Sequence, residues 1–346
     1  MEDVLDLNQF ARRIPKAEIH THLEGSIRPE TLLELAKRND INLPVKGLDD
    51  LKDFYRYRDF EHFVKIYHTI TRCLCTPQDY HLIAYQFGSD CAKQNIRYSE
   101  ATFTITSNMR FSGLSWQVIL EALNAGRAQA KAEFGVELRW VFDILRNTPE
   151  TQDLTTDIAL MARDDGVVAL GLGGSEALFP PELFVRSFDR ALEANLPRVP
   201  HAGELLGPSS VWTAINQLHA DRLGHGVRSI EDPKLMEVII ERQIPLEICP
   251  TSNLRLEIYP SYAAHPLRRL WDDGAYVTIN SDDPPMFDCD LDSEYQVLVD
   301  HFNFSADELE QVNLNALRAS LLPEADKTRL EGEFKAEFAS LRQELA

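Results

Sequence analysis

The feature that most restricts the fold of this 346-residue chain is a series of eight short β-rich segments, which are separated by longer amphipathic helical patterns. Parallel strands need crossover connections, so strands that alternate with helices are typical of βα units. The predicted strands are Ala17–His22, Arg97–Thr104, Glu137–Ile144, Val167–Leu172, Arg198–Ala202, Arg222–His225, Pro245–Cys249 and Tyr276–Ser281. Eight such units predict an α/β fold, a closed (β/α)8 TIM barrel whose chemistry gathers at the carboxyl ends of the strands.

The main alternative is an open doubly wound sheet. That fold would need a glycine-rich phosphate turn after the first strand, and the segment from His20 to Gly25 is not one. Residues 1–346 are therefore predicted to form a single barrel domain with two helical additions. One is an insertion at about 49–95, between the first and second strands; the other is a C-terminal helical region at about 305–346, which opens with a capping box at Ser305.

The insertion is longer than a connector needs and is rich in aromatic residues. Segments of this length often form lids over a site, and Phe54, Phe60 and Phe63 are the candidate lid residues. The alternative is that these aromatic side chains form the core of a helical subdomain.

Charge and cysteine usage exclude several classes of protein. Thirty-five basic against 55 acidic residues give a net charge of −20, which repels nucleic acid and anionic lipid. Five cysteines without a framework spacing suit a reduced cytosol, and no apolar run is long enough to span a membrane. We expect a cytoplasmic protein with no nucleic-acid or membrane partner.

Histidine and aspartate occur where strands end. His20 and His22 are two residues apart on a strand, so both project from the same face; His201 ends another strand, and Asp282 follows the eighth. Three imidazoles and a carboxylate form a mixed nitrogen and oxygen set that suits zinc with an open position. Alone, Asp282-Asp283-Pro284 could be an ordinary turn, but the histidines favour a metal site.

Hydrolysis assisted by such a metal also needs groups that move protons. Glu204, just beyond the strand with His201, and His225, between Gly224 and Gly226, are the candidates. Glu204 could instead be a carboxylate near a helix N-terminus, and the spacing leaves this choice open. The residues alone predict metal-assisted hydrolysis without naming a substrate.

Five motifs in order resemble the adenosine deaminase family of the amidohydrolase superfamily, which includes adenosine, adenine and aminodeoxyfutalosine deaminases. The motifs are Pro15 to Ser26, His201 to Glu204, Gly224 to Gly226, Cys249 to Asn253 and Asn280 to Pro284. The resemblance runs from about Ile14 to Leu322 and implies a (β/α)8 barrel that binds one zinc ion.

The resemblance also implies roles for single residues. Glu204 matches the acid that protonates purine N1, and His225 matches the residue that orients and deprotonates the attacking water. Asp283 matches a residue that accepts from this water and contacts the N7 side of the base. The implied zinc ligands are His20, His22, His201 and Asp282, and the implied substrate-binding residues are His22, Glu24, Gly174 and Asp283.

Two other chemistries fit the sequence less well. Binuclear amidohydrolases bridge two metals with a lysine at the end of strand four, where this chain reads Gly171-Leu-Gly-Gly-Ser175. Cytidine-deaminase enzymes use a P-C-x-x-C motif, and Cys249-Pro250 has the reverse order. A catalytically inactive purine-binding relative would be expected to lack a ligand or Glu204, and both are present.

The substrate is less well defined than the reaction. In animal adenosine deaminases the end of the fourth strand resembles the pattern Asp-Leu-Ala-Gly-Asp-Glu, and Gly171 and Ser175 replace its two aspartates here. Other segments of this chain resemble adenine and aminodeoxyfutalosine deaminases. Glu24 matches an acidic residue that contacts the ribose 5′-hydroxyl. We expect deamination of a small aminopurine, ranked as adenosine or a 5′-modified adenosine such as aminodeoxyfutalosine, then adenine. The oligomeric state is left open.

Overall fold

The computed structural model of the protein describes residues 5–56 and 58–345, apart from the side chains of residues 60 and 61. In this part of the chain, eight parallel strands pair in sequence order. They are β1 (Lys16–His22), β2 (Ile96–Phe103), β3 (Glu137–Leu145), β4 (Val167–Gly173), β5 (Arg198–Ala202), β6 (Leu223–His225), β7 (Leu246–Ile248) and β8 (Val277–Ile279). A parallel bridge between Thr21 and Asp282 links β1 to the residues after β8. The predicted (β/α)8 barrel is confirmed.

Helices follow the strands and cover the outside of the barrel. They are α1 (Leu7–Arg13), α2 (Pro29–Arg38), α3 (Gly47–Tyr55), α4 (Phe60–Arg72), α5 (Pro77–Lys93), α6 (Ile105–Ser112), α7 (Trp116–Phe134), α8 (Gln152–Ala162), α9 (Val185–Glu193), α10 (Pro208–Asn216), α11 (Pro233–Arg242), α12 (Pro250–Arg255), α13 (Leu267–Asp272), α14 (Pro284–Phe287), α15 (Leu291–Phe302), α16 (Ala306–Ala319) and α17 (Glu324–Leu345). Several begin with proline, whose fixed φ and missing N–H suit a first turn. No helix among the described residues is long and apolar enough to cross a membrane.

Most predicted strands agree with the structure to within one or two residues at each end. The largest difference is at the carboxyl end of the eighth strand, which is predicted to reach Ser281 and ends at Ile279. The reason is local: Asp282 has a φ of 64°, so the chain leaves the extended conformation there. Helices α3, α4 and α5 occupy the segment between β1 and β2, and α16 and α17 lie in the C-terminal segment.

The alternation along β3 sets what reaches the interior of the barrel. Trp140, Phe142 and Ile144 belong to the large apolar core between the strands and the helices. Val141 packs instead in a small separate cluster with Ala169 and Val199, residues from β4 and β5. Since side chains alternate across a strand, Asp143 shares the inward face with Val141, at the carboxyl end of the barrel.

A charged chain of side chains crosses the barrel interior below the strand ends. Arg222, immediately before β6, donates through Nη2 to Glu100 Oε2 and through Nε to Glu247 Oε1, both at 2.6 Å. Glu247 also accepts from His20 Nδ1 at 2.7 Å. All four groups are buried. A buried charge is stable only when it is paired, so this network is complete only with Arg222 between its two carboxylates.

Candidate metal centre and active site

Four predicted metal ligands converge at the carboxyl end of the barrel. His20 and His22 end β1, His201 lies on β5, and Asp282 follows β8. One ligand atom from each lies within 4.8 Å of the others. His22 Nε2 is 3.3 Å from Asp282 Oδ1 and 3.3 Å from His201 Nε2. Residues distant in sequence therefore form one compact set of donor atoms.

Backbone hydrogen bonds join the end of β1 to the residues after β8 at this site. His22 N donates to Asp282 O at 2.9 Å, and Asp282 N donates to His20 O at 3.3 Å. Ser252, in α12, donates its hydroxyl to Asp282 Oδ2 at 2.6 Å. One oxygen of Asp282 is thus occupied, and Oδ1 faces the histidines.

The donor set fits a metal ion. Because an ionised carboxylate only accepts, His20 Nδ1 carries the proton that it gives to Glu247, and its Nε2 keeps a lone pair. That Nε2 is buried without a hydrogen-bond partner among the described residues. Lone pairs that face one another need a cation between them, and three imidazoles with one carboxylate suit zinc. An overlapping set of His20, His225, Cys249 and Asp282 is also close enough to hold a metal ion.

Glu204 lies beside this set on the segment between β5 and α10. Glu176 fixes that segment, since its carboxylate accepts from the backbone N–H of Gly203, Leu205 and Leu206 at 2.7 to 2.9 Å. Glu204 Oε1 is 3.5 Å from His225 Nε2. Burial, together with the charges of Asp282 and Glu176, raises the pKa of Glu204 to about 8. In the metal-free protein Glu204 therefore holds its proton at neutral pH.

His225 lies at the end of β6 between two glycines. A Cβ on Gly224 would be 3.0 Å from His20 Cε1 and 3.0 Å from His201 Nδ1, so a larger residue would crowd the ligands. Burial lowers the pKa of His225 to about 3. Its imidazole is therefore uncharged at neutral pH in the metal-free protein.

Asp283 follows Asp282 in the chain and accepts a hydrogen bond from a residue of the helical insertion. Tyr67, in α4, donates its hydroxyl to Asp283 Oδ1. A Cβ on Gly25 would overlap that carboxylate at 1.7 Å, which explains the glycine after Glu24. Burial, with a contribution from the charge of Asp282, raises the pKa of Asp283 to about 7.

The remaining predicted residues lie across the mouth of the barrel. Glu24 is buried, and its Oε1 accepts from Asn108 Nδ2 at 2.7 Å and from Thr104 N at 3.1 Å. Gly174 follows β4 with a φ of 96°, and a Cβ there would be 2.6 Å from Asn147 Oδ1. That position therefore requires glycine on both conformational and steric grounds.

One of the predicted lid residues, Phe63, packs near Asp283. Phe63 packs on Tyr67 with ring centroids 4.9 Å apart and stacks on Phe287 at 6.2 Å. Phe54 contacts His62 edge-on at 5.3 Å. The side chain of Phe60 lies outside the described part of the chain. Phe63 is thus the predicted lid residue that packs on a partner of Asp283.

Several residues of the site are not among those predicted from the sequence, namely Tyr67, Glu247, Glu176 and Asp143. A signal did exist for Glu247 and Asp143, because each is a carboxylate inside an otherwise apolar strand. Such a residue costs free energy unless it has a partner, so it points to a polar neighbour.

Comparison with known proteins identifies close relatives. The sequence profile described as adenosine deaminase matches residues 15–336. An aminodeoxyfutalosine deaminase from Streptomyces avermitilis is 41% identical over 334 residues, which cover 95% of this chain and 92% of the relative. An adenine deaminase from Bordetella avium is 36% identical over 316 residues, covering 91% and 99%. A crystal structure of an amidohydrolase from Burkholderia ambifaria with bound Zn superposes with a TM-score of 0.91 at 28% identity, covering 99% and 95%.

Proposed function

The chain belongs to the adenosine deaminase family, and from this premise we propose that it is a zinc-dependent enzyme that hydrolytically removes the 6-amino group of an adenine nucleoside. Deamination of an aminopurine is the activity that its relatives share by name. The observation that carries the proposal is the convergence of His20, His22, His201 and Asp282 beside Glu204 and His225.

We assign one zinc ion to this donor set. When bound, such an ion supplies a Lewis acid that lowers the pKa of water towards about 7. Binuclear amidohydrolases need a bridging lysine at the end of the fourth strand, and β4 ends in Gly173. The bound Zn in the amidohydrolase from Burkholderia ambifaria supports the choice of metal.

Glu204 acts as the general acid in this proposal. Its carboxyl delivers a proton to ring nitrogen N1, and the pKa that burial raises to about 8 in the metal-free protein supports this role. Protonation of N1 makes the adjacent C6 more electrophilic, so water adds there. The contacts of Glu176 with the backbone on both sides of Glu204 hold the acid in position without using its carboxyl group.

His225 and Asp283 handle the proton of the attacking water. The neutral imidazole of His225 accepts it, and Nε2 of this residue is 3.5 Å from Glu204 Oε1 and 3.9 Å from Asp282 Oδ2. Asp283, held by Tyr67, orients the water and meets the N7 side of the base. The proton taken by His225 passes to the 6-amino group, which leaves C6 as ammonia. The C6 hydroxyl gives up its remaining proton, which restores the acid form of Glu204, and the ring becomes a 6-oxopurine.

We place an adenosine with a 5′ substituent first among the substrates. The aminodeoxyfutalosine deaminase at 41% identity supports a nucleoside of this kind, and Glu24 lies where it can accept from a sugar hydroxyl. Adenine is the second candidate, because the adenine deaminases from Bordetella avium and Acinetobacter baylyi are 36% and 32% identical over similar lengths.

Steady-state release of ammonia by metal-analysed protein tests the proposal. The substrates are adenosine, 5′-modified adenosines including aminodeoxyfutalosine, and adenine. We expect one zinc per active chain and the highest kcat/KM for a nucleoside. If adenine had the highest kcat/KM, the nucleoside assignment would be wrong while the deamination mechanism survived. Failure to release ammonia from every aminopurine would overturn the proposed function.

A further inference from the structure

Arg146, directly after β3, is a buried arginine without an acidic partner. Its Nη1 donates to Phe179 O and its Nη2 to His201 O, both at 2.7 Å. Within residues 5–56 and 58–345, no carboxylate forms an ion pair with it, and its Nε is buried without a hydrogen-bond partner. Burial lowers the pKa of Arg146 to about 10. Such a charge costs free energy, and proteins retain costly features mainly at functional sites.

The two carbonyl groups that Arg146 binds belong to different segments of the site. Phe179 ends the segment 174–179 after β4, which begins with the glycine assigned to the purine. His201 is the metal ligand on β5. Because a guanidinium is planar and holds its donors in a rigid fork, Arg146 sets the distance between the two carbonyl groups.

Glu176 joins the same two segments a second time, with the opposite charge. From the segment 174–179, its buried carboxylate accepts from three backbone N–H groups of residues 203–206 at 2.7 to 2.9 Å. Arg146 thus binds a carbonyl at the start of the segment 201–206, and Glu176 binds N–H groups in the rest of it. Hydrogen bonds to charged groups are stronger than those between neutral groups, so the two residues hold both segments firmly.

Strand pairing alone does not place Glu204 relative to the metal ligand His201. The strand β5 ends at Ala202, and Gly203 has a φ of 73°, so the chain leaves the extended conformation between the two functional residues. The acid must lie within hydrogen-bond reach of N1 while C6 lies at the metal centre. A misplacement of about 1 Å can lower a rate roughly 10²-fold.

We propose that Arg146 is a positioning residue, which together with Glu176 holds the acid Glu204 at a fixed distance from the metal centre and from the segment 174–179. This inference rests on the proposed function and deepens it. The hydrogen bonds of Arg146 go to the backbone, so it acts through the two segments and not on the substrate. A lysine could not replace it, because an ammonium group lacks the rigid fork that spans two carbonyl groups.

The variant Arg146→Lys keeps the charge and removes the fork. We expect kcat to fall roughly 10- to 100-fold, with KM within about threefold and zinc content unchanged. The matched control is Arg198→Lys at the amino end of β5, since Arg198 also donates to two carbonyl groups, those of His219 and Leu196. Its kcat should stay within about threefold of wild type, because that end of the barrel is remote from the chemistry. Equal losses in the two variants, or loss of zinc in proportion to kcat, would overturn the proposal.

A double-mutant cycle with Glu204→Gln separates positioning of the acid from general damage to the site. Without an acid to misplace, Arg146→Lys should lower kcat less than about threefold in the Glu204→Gln background. The full 10- to 100-fold loss in that background would overturn the proposal. If Arg146→Lys fails to fold, Glu176→Gln enters the same cycle with the same expectation.

Amide hydrogen exchange tests the positioning without using the reaction. In zinc-loaded protein without substrate, Arg146→Lys should speed exchange in peptides that cover residues 174–179 and 201–206, whereas Arg198→Lys should not. An increase spread evenly over the barrel, or no local increase, would overturn the role of Arg146 even if the wild type deaminates adenosine. Absence of ammonia release by the wild type would instead overturn the proposed function, and the exchange pattern would still show whether Arg146 holds the two segments.

Discussion

The carboxylates in the two halves of the barrel mouth have different hydrogen-bond and ion-pair partners. In the metal half, formed by the ends of β1, β5, β6 and β8, Asp282 accepts from Ser252, and Glu247 is paired with Arg222 and His20. In the sugar half, formed by Glu24, Thr104, Asn108, Asp143 and Gly174, the two carboxylates accept from Thr104 and Asn108, and among the described residues neither is paired with a lysine or arginine. Charged partners therefore hold Glu247 below the metal, whereas neutral donors hold Glu24, the residue that we propose meets the sugar.

The largest effect is expected from Asp282, the ligand at the centre of the metal half. Asp282→Ala removes one of four donors and should lower kcat roughly 10³-fold or more, because the Lewis acid contributes several kcal/mol. Zinc content by mass spectrometry and ammonia release are the measurements. Full activity in a protein stripped of zinc by chelation would break the assignment of this half.

Glu204→Gln should have the next largest effect. Glutamine keeps the shape but cannot donate a proton to N1, so kcat should fall roughly 10²- to 10⁴-fold on every substrate. Zinc content should not change, since Glu204 is not among the predicted ligands. A variant that turns over at the wild-type rate, or that loses its metal, would show that the residue has another role.

A smaller effect should follow from the partner of His20. Glu247→Gln removes the charge that fixes the imidazole tautomer and leaves Arg222 with one carboxylate, so zinc affinity should weaken roughly 10- to 100-fold. Competition with a chelator measures it. Glu308→Gln is the matched control, because Glu308 also accepts from an arginine and a ring N–H, those of Arg268 and Trp271, away from the site. Equal zinc affinities in the two variants would contradict the role of Glu247.

The smallest effect is expected at the edge between the halves. Tyr67→Phe removes one hydroxyl donor from Asp283, so KM should rise roughly two- to tenfold, the range for one neutral hydrogen bond. Zinc content should remain close to wild type. Loss of zinc in this variant would mean that the insertion supports the metal half rather than the substrate.

Local patterns were enough to predict the barrel and the candidate ligands. A His-x-His pair on a strand projects both side chains to one face, and an aspartate at a strand end can be recognised without knowing which distant residues it contacts. Contacts between residues far apart in the sequence could not be predicted from local patterns. His20 meets Glu247 227 positions away, and Tyr67 meets Asp283 216 positions away. Such contacts depend on strand register and on how the insertion packs, and a single sequence does not contain either.

The sugar half illustrates the same limit. Glu24 stands beside a recognisable motif and was assigned from it, whereas Asp143 lies in an apolar strand with no motif around it. Its surroundings follow from the contact with Thr104 and from the close approach of its Oδ2 to Gly173, both of which are properties of the folded chain.

The central claim is that reaction and substrate choice reside in different halves, and one ratio tests it most directly. That ratio is kcat/KM for adenosine divided by kcat/KM for adenine, measured in wild type, Glu204→Gln and Glu24→Gln. We predict that Glu204→Gln lowers both values and leaves the ratio within about threefold of wild type, whereas Glu24→Gln lowers the ratio roughly 10- to 100-fold. A ratio that moves equally in the two variants, or only in Glu204→Gln, would contradict the division of the site.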